Sequence, residues 1–232
     1  MLSYTQGVRD GRPWADQAWV LGPGARHAVT TQLSGWYVSG DPDFGRALIG
    51  AGADMVRHAH SMLADLAADP PPLRWAAPSL PDGITLTPVD RPAAEIFPIA
   101  ELAYGPDHAD RRYDRRTAAE RAEGFAALLA GEAIGPLNPI SALAVDATDQ
   151  PVAMVAIFDR TAVLPWVGQL IRRPGDELRG LGAAMLRRAM RDVAAAGFAE
   201  LGLAVSDGNP AQRLYERLGF TIRETSFTVL VH

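Results

Sequence analysis

One stretch, Arg172-Arg173-Pro174-Gly175-Asp176-Glu177-Leu178-Arg179-Gly180-Leu181-Gly182-Ala183-Ala184, constrains the fold more than any other. Residues 166–171, just ahead of it, read as a short buried strand. Just behind it, Leu181, Met185, Ala189 and Val193 recur at helical spacing. A glycine-rich turn therefore carries a strand straight into a long helix. The first N–H groups of such a helix have no intrahelical partners, and the helix dipole adds positive potential there. That makes the turn a ready site for a phosphate or pyrophosphate. Gly180 and Gly182 lack a Cβ, so a ligand can approach the main chain closely. Two glycines alone would also serve as a plain packing turn. A dinucleotide-binding fingerprint is excluded, because Met185 occupies the third glycine position and no early βαβ unit precedes it.

The chain around this turn is regular from residue 83 onward. Residues 84–89 read as a strand and 93–104 as a helix. Asp107 to Arg116 is a charged loop, most simply a solvated one. Thr117 opens a helix, with Glu120 three residues on as a capping box, that runs to Gly131. Residues 141–145 and 152–158 make an antiparallel pair around the turn at 146–150. The long helix after the glycine turn ends at Gly197. A strand over 198–205, a helix over 210–218 and a strand over 220–231 complete the chain. This order argues for an α/β (α+β) fold, a mixed sheet with helices on both faces. In the stretch Ser206 to Phe220, Asn209 suits an N-cap, Pro210 the first helical position, and Gln212 the completion of a capping box. Leu214 and Leu218 share a face that enters the core, Trp166 is expected in the core as well, and Tyr215 stands to the side of the helix stripe.

The first 82 residues are less regular. Residues 1 to about 42 scatter Gly and Pro among aromatics and suggest short strands and turns. A short helix from Phe44 closes at Gly50 or Gly52, and residues 55–66 suit a strand or a helix. Placing Gly52 on Gly219 also puts Arg46 on Arg213, so residues 35–68 read as a degenerate partial copy of the last third of the second unit. One amphipathic helix over 44–67 is the equal alternative. Pro70, Pro71, Pro72, Pro78 and Pro81 make 69–82 a semi-rigid linker. The expected division is 1–82, an extension plus linker, and 83–232, the main domain.

Composition excludes several function classes. With 232 residues and 48% hydrophobic content, a sizeable core is feasible. A net charge of −5 and no basic run interleaved with aromatics argue against nucleic acid. Without cysteine there is no disulfide, thiolate metal site or cysteine nucleophile. All 22 basic residues are Arg, which excludes a lysine Schiff base and a phosphate-loop lysine. No apolar run approaches the ~20 residues of a membrane span, and no signal pattern opens the chain, so no membrane partner and a cytoplasmic location are expected. His58 and His60 could face one side of a strand as a metal pair, but the sequence offers no evident third ligand, and no metal is expected.

Taken together, the strand, a turn of the form P-x-x-x-x-R-G-L-G-A-A, a long helix, a strand and then N-P-A-Q-R-L-Y-E-R-L-G-F resemble the GNAT superfamily of acyl-CoA-dependent N-acetyltransferases. The resemblance spans residues 83–232 and is sharpest from 166 to 220. It implies a mixed, mostly antiparallel sheet flanked by helices, with acetyl-CoA as co-substrate. It also implies that the backbone of Leu170 and Arg172 pairs with the pantetheine arm. The N–H groups of Glu177, Leu178, Arg179, Gly180, Leu181, Gly182 and Ala183 would hold the pyrophosphate. Asn209 would orient the cofactor, and Tyr215 would stand near the sulfur as general acid. The family usually has Gln or Arg where Glu177 stands, often Gly where Leu178 stands, and an apolar strand residue in place of Arg172. Glu177 would face phosphate unfavourably, offset by Arg172, Arg173 and Arg179. The strand is expected to end or bulge early at Arg172.

The implied chemistry is transfer of an acetyl group to a primary amine in a ternary complex. A lysine-like amine with a pKa near ~10.4 must lose a proton before attack, and a thiolate with a parent pKa of ~8.5 leaves more readily with a donor nearby. A backbone N–H near 169–171 would meet the oxyanion. For the base, Asp159, Glu200, a carboxylate in 107–116 and water all stand open. The alternative is a non-catalytic acyl-CoA-binding or interaction module on the same fold. The first 80 residues are expected to cover a sheet edge or part of the acceptor cleft, and a homodimer is open to the chain.

Overall fold

The structure, a computed structural model, describes residues 2–9, 11–20 and 25–232; residues 1, 10 and 21–24 of the amino-terminal reading lie outside them. Ten strands form one sheet: β1 (Leu2–Arg9), β2 (Arg12–Val20), β3 (Tyr37–Gly40), β4 (Asp54–Asp65), β5 (Thr85–Thr87), β6 (Ala142–Val145), β7 (Pro151–Thr161), β8 (Leu164–Arg172), β9 (Glu200–Ser206) and β10 (Thr221–Leu230). Their order across the sheet is β1-β2-β3-β10-β4-β9-β8-β7-β6-β5. Among the described residues six helices flank it: α1 (Ala25–Gln32), α2 (Pro42–Ile49), α3 (Ala93–Ala103), α4 (Ala118–Leu129), α5 (Leu181–Ala195) and α6 (Gln212–Arg217). Only β2–β3 and β8–β9 pair in parallel; the other neighbours are antiparallel. The expected mixed, mostly antiparallel sheet with flanking helices is present.

Local signals account for most of these elements. Thr117 and Glu120 cap α4 reciprocally, as their spacing requires. Leu181, Met185, Leu186, Ala189, Met190 and Val193 form the buried stripe of α5. They pack, with Leu178, Leu218 and Tyr215, on the face of the sheet that carries Leu201, Leu203 and Val205. A second apolar cluster lies under α3 and α4, around Leu143, Met154, Ala156 and Phe158. A third joins Val29, Leu33, Val38 and Leu48 to Val229 near the amino terminus. Among the described residues no helix is long and apolar enough to cross a membrane.

The amino-terminal segment enters the sheet rather than lying over it. Residues 42–67 are not one helix: α2 ends at Gly50, and β4 follows. β4 runs between β9 and β10, with Ala59 opposite both Ser206 and Ser226. In turn β10 runs between β3 and β4. Each strand–helix–strand unit, β3-α2-β4 and β9-α6-β10, thus lays its last strand inside the other. Of the expected sheet edge or acceptor cleft, residues 1–80 cover the edge of β9, and do so from within the sheet, since β4 pairs with β9 on one side and β10 on the other. The linker at 69–82 holds a 3₁₀ turn (Leu73–Ala76), whose Trp75 packs on the α5 side beneath the Arg187 guanidinium.

Candidate active site

The two parallel strands β8 and β9 pair only at Trp166–Gly202 and Val167–Leu203 and then part. Beyond that point β8 stays paired with β7 through Arg172, and β9 stays paired with β4 through Ser206. A β-bulge marks the parting: Ala156 faces Gln169 and Ile157 faces Val167, so Gly168 is the extra residue. Leu170 and Arg172, the expected pantetheine partners, therefore lie on a stretch of strand without a β9 partner. β8 bulges at Gly168 and ends at Arg172, in keeping with the expected early end or bulge. The Arg172 guanidinium folds over the turn and donates to the carbonyls of Arg173 (3.0 Å) and Gly175 (2.6 Å).

At one end of this opening is the glycine turn. Gly180 takes φ +86°, ψ −14° as the N-cap of α5, and no side chain caps the helix. That left-handed backbone suits glycine and strains other L-residues. A Cβ on Gly180 or Gly182 would meet nothing within 4 Å. With no side-chain cap, the first-turn N–H groups of Leu181, Gly182 and Ala183 fit a pyrophosphate. Arg179 is exposed beside them. Leu178 and Leu181 send their side chains into the core, leaving only their main chain to the turn. The Glu177 carboxylate folds back over Gly175, with Arg173 Nη2 at 3.9 Å. A recess of about 450 Å³ behind the turn is lined by Asp82, Asp146 and Glu177 against Arg173 alone, an acidic surround unsuited to phosphate.

At the other end, polar groups converge from five elements. Tyr104, at the end of α3, donates to Gln169 Oε1 of β8 at 2.8 Å. Asp110, in a 3₁₀ turn (Ala109–Arg111), accepts from Ser206 Oγ of β9 at 2.5 Å and from Asn209 Nδ2 at 2.9 Å. His108 Nδ1 lies 3.1 Å from the same carboxylate. Tyr215 of α6 is 8% exposed, and burial, then the Asp110 carboxylate, push its phenol up to about 12. Burial, then Asp110 and Tyr215, push Tyr104 up as well. Both phenols therefore stay protonated across the physiological range, around one carboxylate. The loop bearing Asp110 is held by Glu101, which takes a two-pronged bond from Arg121 (3.0 and 2.9 Å) and a short one from Arg111. The Arg121 hydrogen bonds, with the nearby Arg111 charge, hold Glu101 below the usual carboxylate range against desolvation.

Several expectations need adjustment at this end. The 107–116 segment is not simply a solvated loop, since Asp110 and Arg111 are tied inward. Asn209 does not cap the helix at the expected position: its Oδ1 accepts from Ala211 N at 2.9 Å, and α6 starts at Gln212. Gln212 completes no capping box and bonds Glu216 at 2.8 Å instead. Asp159 is bound to Asn138 (2.7 Å), and Glu200 lies at the far end of β9 opposite Asp65. Neither stands with the converging groups. Tyr104 and Ser206 escaped the sequence reading, and Asp110 was one undistinguished carboxylate among several. The signal present was an acidic, histidine-containing loop directly after a helix that ends in tyrosine. His58 and His60 share one face of β4, and Asp207 stands 3.4 and 3.3 Å from their ring nitrogens, supplying the third group absent from the sequence reading. Burial holds His58 below its usual value against the pull of Asp207, with His60, Arg46 and Arg112 adding to the lowering.

A sheet opened between two parallel strands, with an uncapped helix at one end and buried phenols at the other, is the arrangement to set beside known folds. The fold is that of the GNAT superfamily. The family model described as FR47-like protein matches residues 147–229, which take in both diagnostic motifs. The chain is similar in structure to a GCN5-related N-acetyltransferase from Sphaerobacter thermophilus, with TM-score 0.58 and 21% identity, over 88% of this chain and 62% of that one. It is likewise similar to a GCN5-related N-acetyltransferase from Kribbella flavida (TM-score 0.56, 18% identity, 98% and 89% covered). A tandem GNAT protein from the clavulanic acid biosynthesis pathway matches with TM-score 0.56 and 17% identity, over 93% of this chain and 74% of that one. The chain thus spans about three fifths of the length of the Sphaerobacter protein. No curated protein sequence matches it.

Proposed function

We propose that the chain is an N-acetyltransferase that transfers the acetyl group of acetyl-CoA to a primary amine by direct attack in a ternary complex. The observation that carries this reading is the parting of β8 from β9, with the uncapped start of α5 at one end and Tyr215, Tyr104 and Asp110 at the other. The N–H groups of Leu181, Gly182 and Ala183 would bind pyrophosphate, with Arg179 adding charge. The free stretch of β8 at Leu170 and Arg172 would pair with pantetheine. Glu177 and Leu178 would contribute main chain only. Asn209, fixed by Asp110, would orient the thioester end.

The residues then divide the proton transfers. Asp110 is the candidate acceptor-side carboxylate: it would hold the ammonium form of the amine and take up one proton, directly or through water, before the free amine attacks the carbonyl carbon; the second nitrogen proton, released as the amide forms, would pass through water and restore the Tyr215 phenol. A main-chain N–H just past the bulge, near Gln169, would meet the developing oxyanion. Tyr215 would give its phenolic proton to the sulfur as the carbon–sulfur bond breaks. Its raised pKa keeps that proton in place until a thiolate is forming beside it.

The test is acetyl-CoA binding by calorimetry, followed by thiol release with a panel of small primary amines, peptide amino termini and lysine peptides. The expected result is binding, with thiol release by at least one class of amine. Binding without release across the panel would establish the other reading, a non-catalytic acyl-CoA-binding module. Absence of binding would end both.

A further inference from the structure

We propose that His58, His60 and Asp207 form a binding site for one late first-row divalent cation, zinc in the first instance, that fastens the inserted strand β4 to the end of β9. Asp207 lies between Ser206 and Asn209 of the proposed transfer site, but the metal reading does not depend on acetyl transfer.

The fold dictates the juxtaposition. His58 and His60 are two apart on β4, so both rings rise from one face of the sheet, opposite Phe227 and Thr225 of β10. Asp207 directly follows β9, and its main-chain N–H donates to the His58 carbonyl at 2.9 Å, which brings its carboxylate over the same face. The ring centroids of the histidines are 5.2 Å apart. His58 Nδ1 lies 3.4 Å from Asp207 Oδ2, and His60 Nε2 lies 3.3 Å from Asp207 Oδ1. One ligand atom from each residue falls within 4.8 Å of the other two.

These spacings leave room for an ion among the three donors, with the two contacts falling on different oxygens of Asp207. Charge-assisted N–H···O bonds close to about 2.7–2.9 Å, and both contacts are slacker than that. Ligands about 2.0–2.1 Å from a tetrahedral zinc stand about 3.3–3.4 Å from one another. The outer nitrogen of His60, Nδ1, is 2.9 Å from Thr225 Oγ1. If Nδ1 donates to that hydroxyl, Nε2 turns a lone pair toward the carboxylate, a contact that a cation between them makes favourable. The competing state reverses the proton: the hydroxyl donates to Nδ1, and Nε2–H bonds Asp207. Two imidazoles and one carboxylate are borderline ligands that suit zinc better than magnesium or calcium. Side-chain exposures of 26%, 12% and 44% leave room for entry and for a water as fourth ligand. The nearby cations are Arg46, whose guanidinium sits 5.6 Å over the Phe227 ring, and Arg112. They oppose the ion, while the Asp207 charge favours it.

The untagged full chain, stripped with a chelator, is titrated with zinc chloride in a calorimeter and with cobalt(II), whose visible bands report coordination. We expect one ion per chain, a rise in melting temperature with zinc, and cobalt bands of low coordination number. His60→Gln and His58→Gln should each weaken binding at least tenfold, and Thr225→Val by about tenfold, as outer-shell partners do. Should either glutamine variant fail to fold, Asp207→Asn keeps the shape, removes the charge and must show the same loss. A chain that binds no zinc, or binds it equally well after these substitutions, contains only a hydrogen-bonded His–Asp pair, and the proposal fails.

Discussion

The two strand–helix–strand units share a topology but not a chemistry. The shift in number that takes Gly52 to Gly219 also takes Ala59 to Ser226, and those two residues stand opposite each other where β4 and β10 pair. It takes Ser39 to Ser206 and Leu48 to Tyr215. Ser39 is buried, bonded to Thr228 Oγ1 and Trp14 Nε1 at 2.8 Å each, and serves only to join strands. Ser206 instead bonds Asp110. Leu48 is fully buried in an apolar cluster, whereas Tyr215 places a raised phenol beside that carboxylate. The correspondence reaches further back: β1 and β2 form a hairpin and β2 pairs in parallel with β3, as β7, β8 and β9 do. α1, however, has 8 residues to the 15 of α5. The two halves thus share a strand–helix–strand architecture, while the groups proposed to react lie in one of them.

If that division is right, substitutions at matched positions must separate. Tyr215→Phe should lower the transfer rate by about 10²–10⁴-fold while leaving acetyl-CoA affinity unchanged, read by steady-state kinetics and calorimetry. Its counterpart Leu48→Ala should cost about 2–5 kcal/mol of stability in urea unfolding, with the kinetics of the folded fraction unaltered. A kinetic defect there would erase the distinction between the halves. Asp110→Asn should cost about 1.5–3 kcal/mol in kcat/KM for the amine, the range for a hydrogen bond to a charged group, with little change in thermal stability.

The smallest effect is one of pH. Glu101 has its carboxyl held below the ordinary glutamate value of 4.5 by Arg121 and Arg111, so its contribution to stability is full above that value. It is lost as pH falls through the lower, folded-state value. Amide exchange in the 107–116 loop should therefore rise only in acid, and Glu101→Gln should flatten that dependence.

Legibility followed the range of the interactions. The glycine turn, the Thr117–Glu120 cap and the stripe of α5 rest on residues within a turn or two of one another, and each lies where the sequence put it. Gln212 misled because α6 begins two residues after the expected start, which leaves its side chain to reach Glu216. The exchange of β4 and β10 was visible only as two coincidences, Gly52 with Gly219 and Arg46 with Arg213. Pairing between distant strands leaves no local pattern to read. Close packing supplies part of what was missed: a Cβ on Gly45 would collide with the Phe227 side chain, which records how near α2 lies to β10. Asp110 was hidden for a similar reason. Its position depends on Glu101 gathering Arg111 and Arg121 from separate elements, which spacing alone does not encode.

The central claim is that the start of α5 is the anion cradle on which acetyl transfer depends. Gly182→Leu tests it most directly, because a Cβ there meets nothing within 4 Å, so the substitution should leave the fold intact while its side chain fills the cradle. The account predicts an unchanged melting temperature without ligand, acetyl-CoA affinity weakened roughly 30-fold or more, about 2 kcal/mol, and transfer lost with it. A Gly182→Leu chain that binds acetyl-CoA as tightly as the native one and still transfers the acetyl group would contradict it.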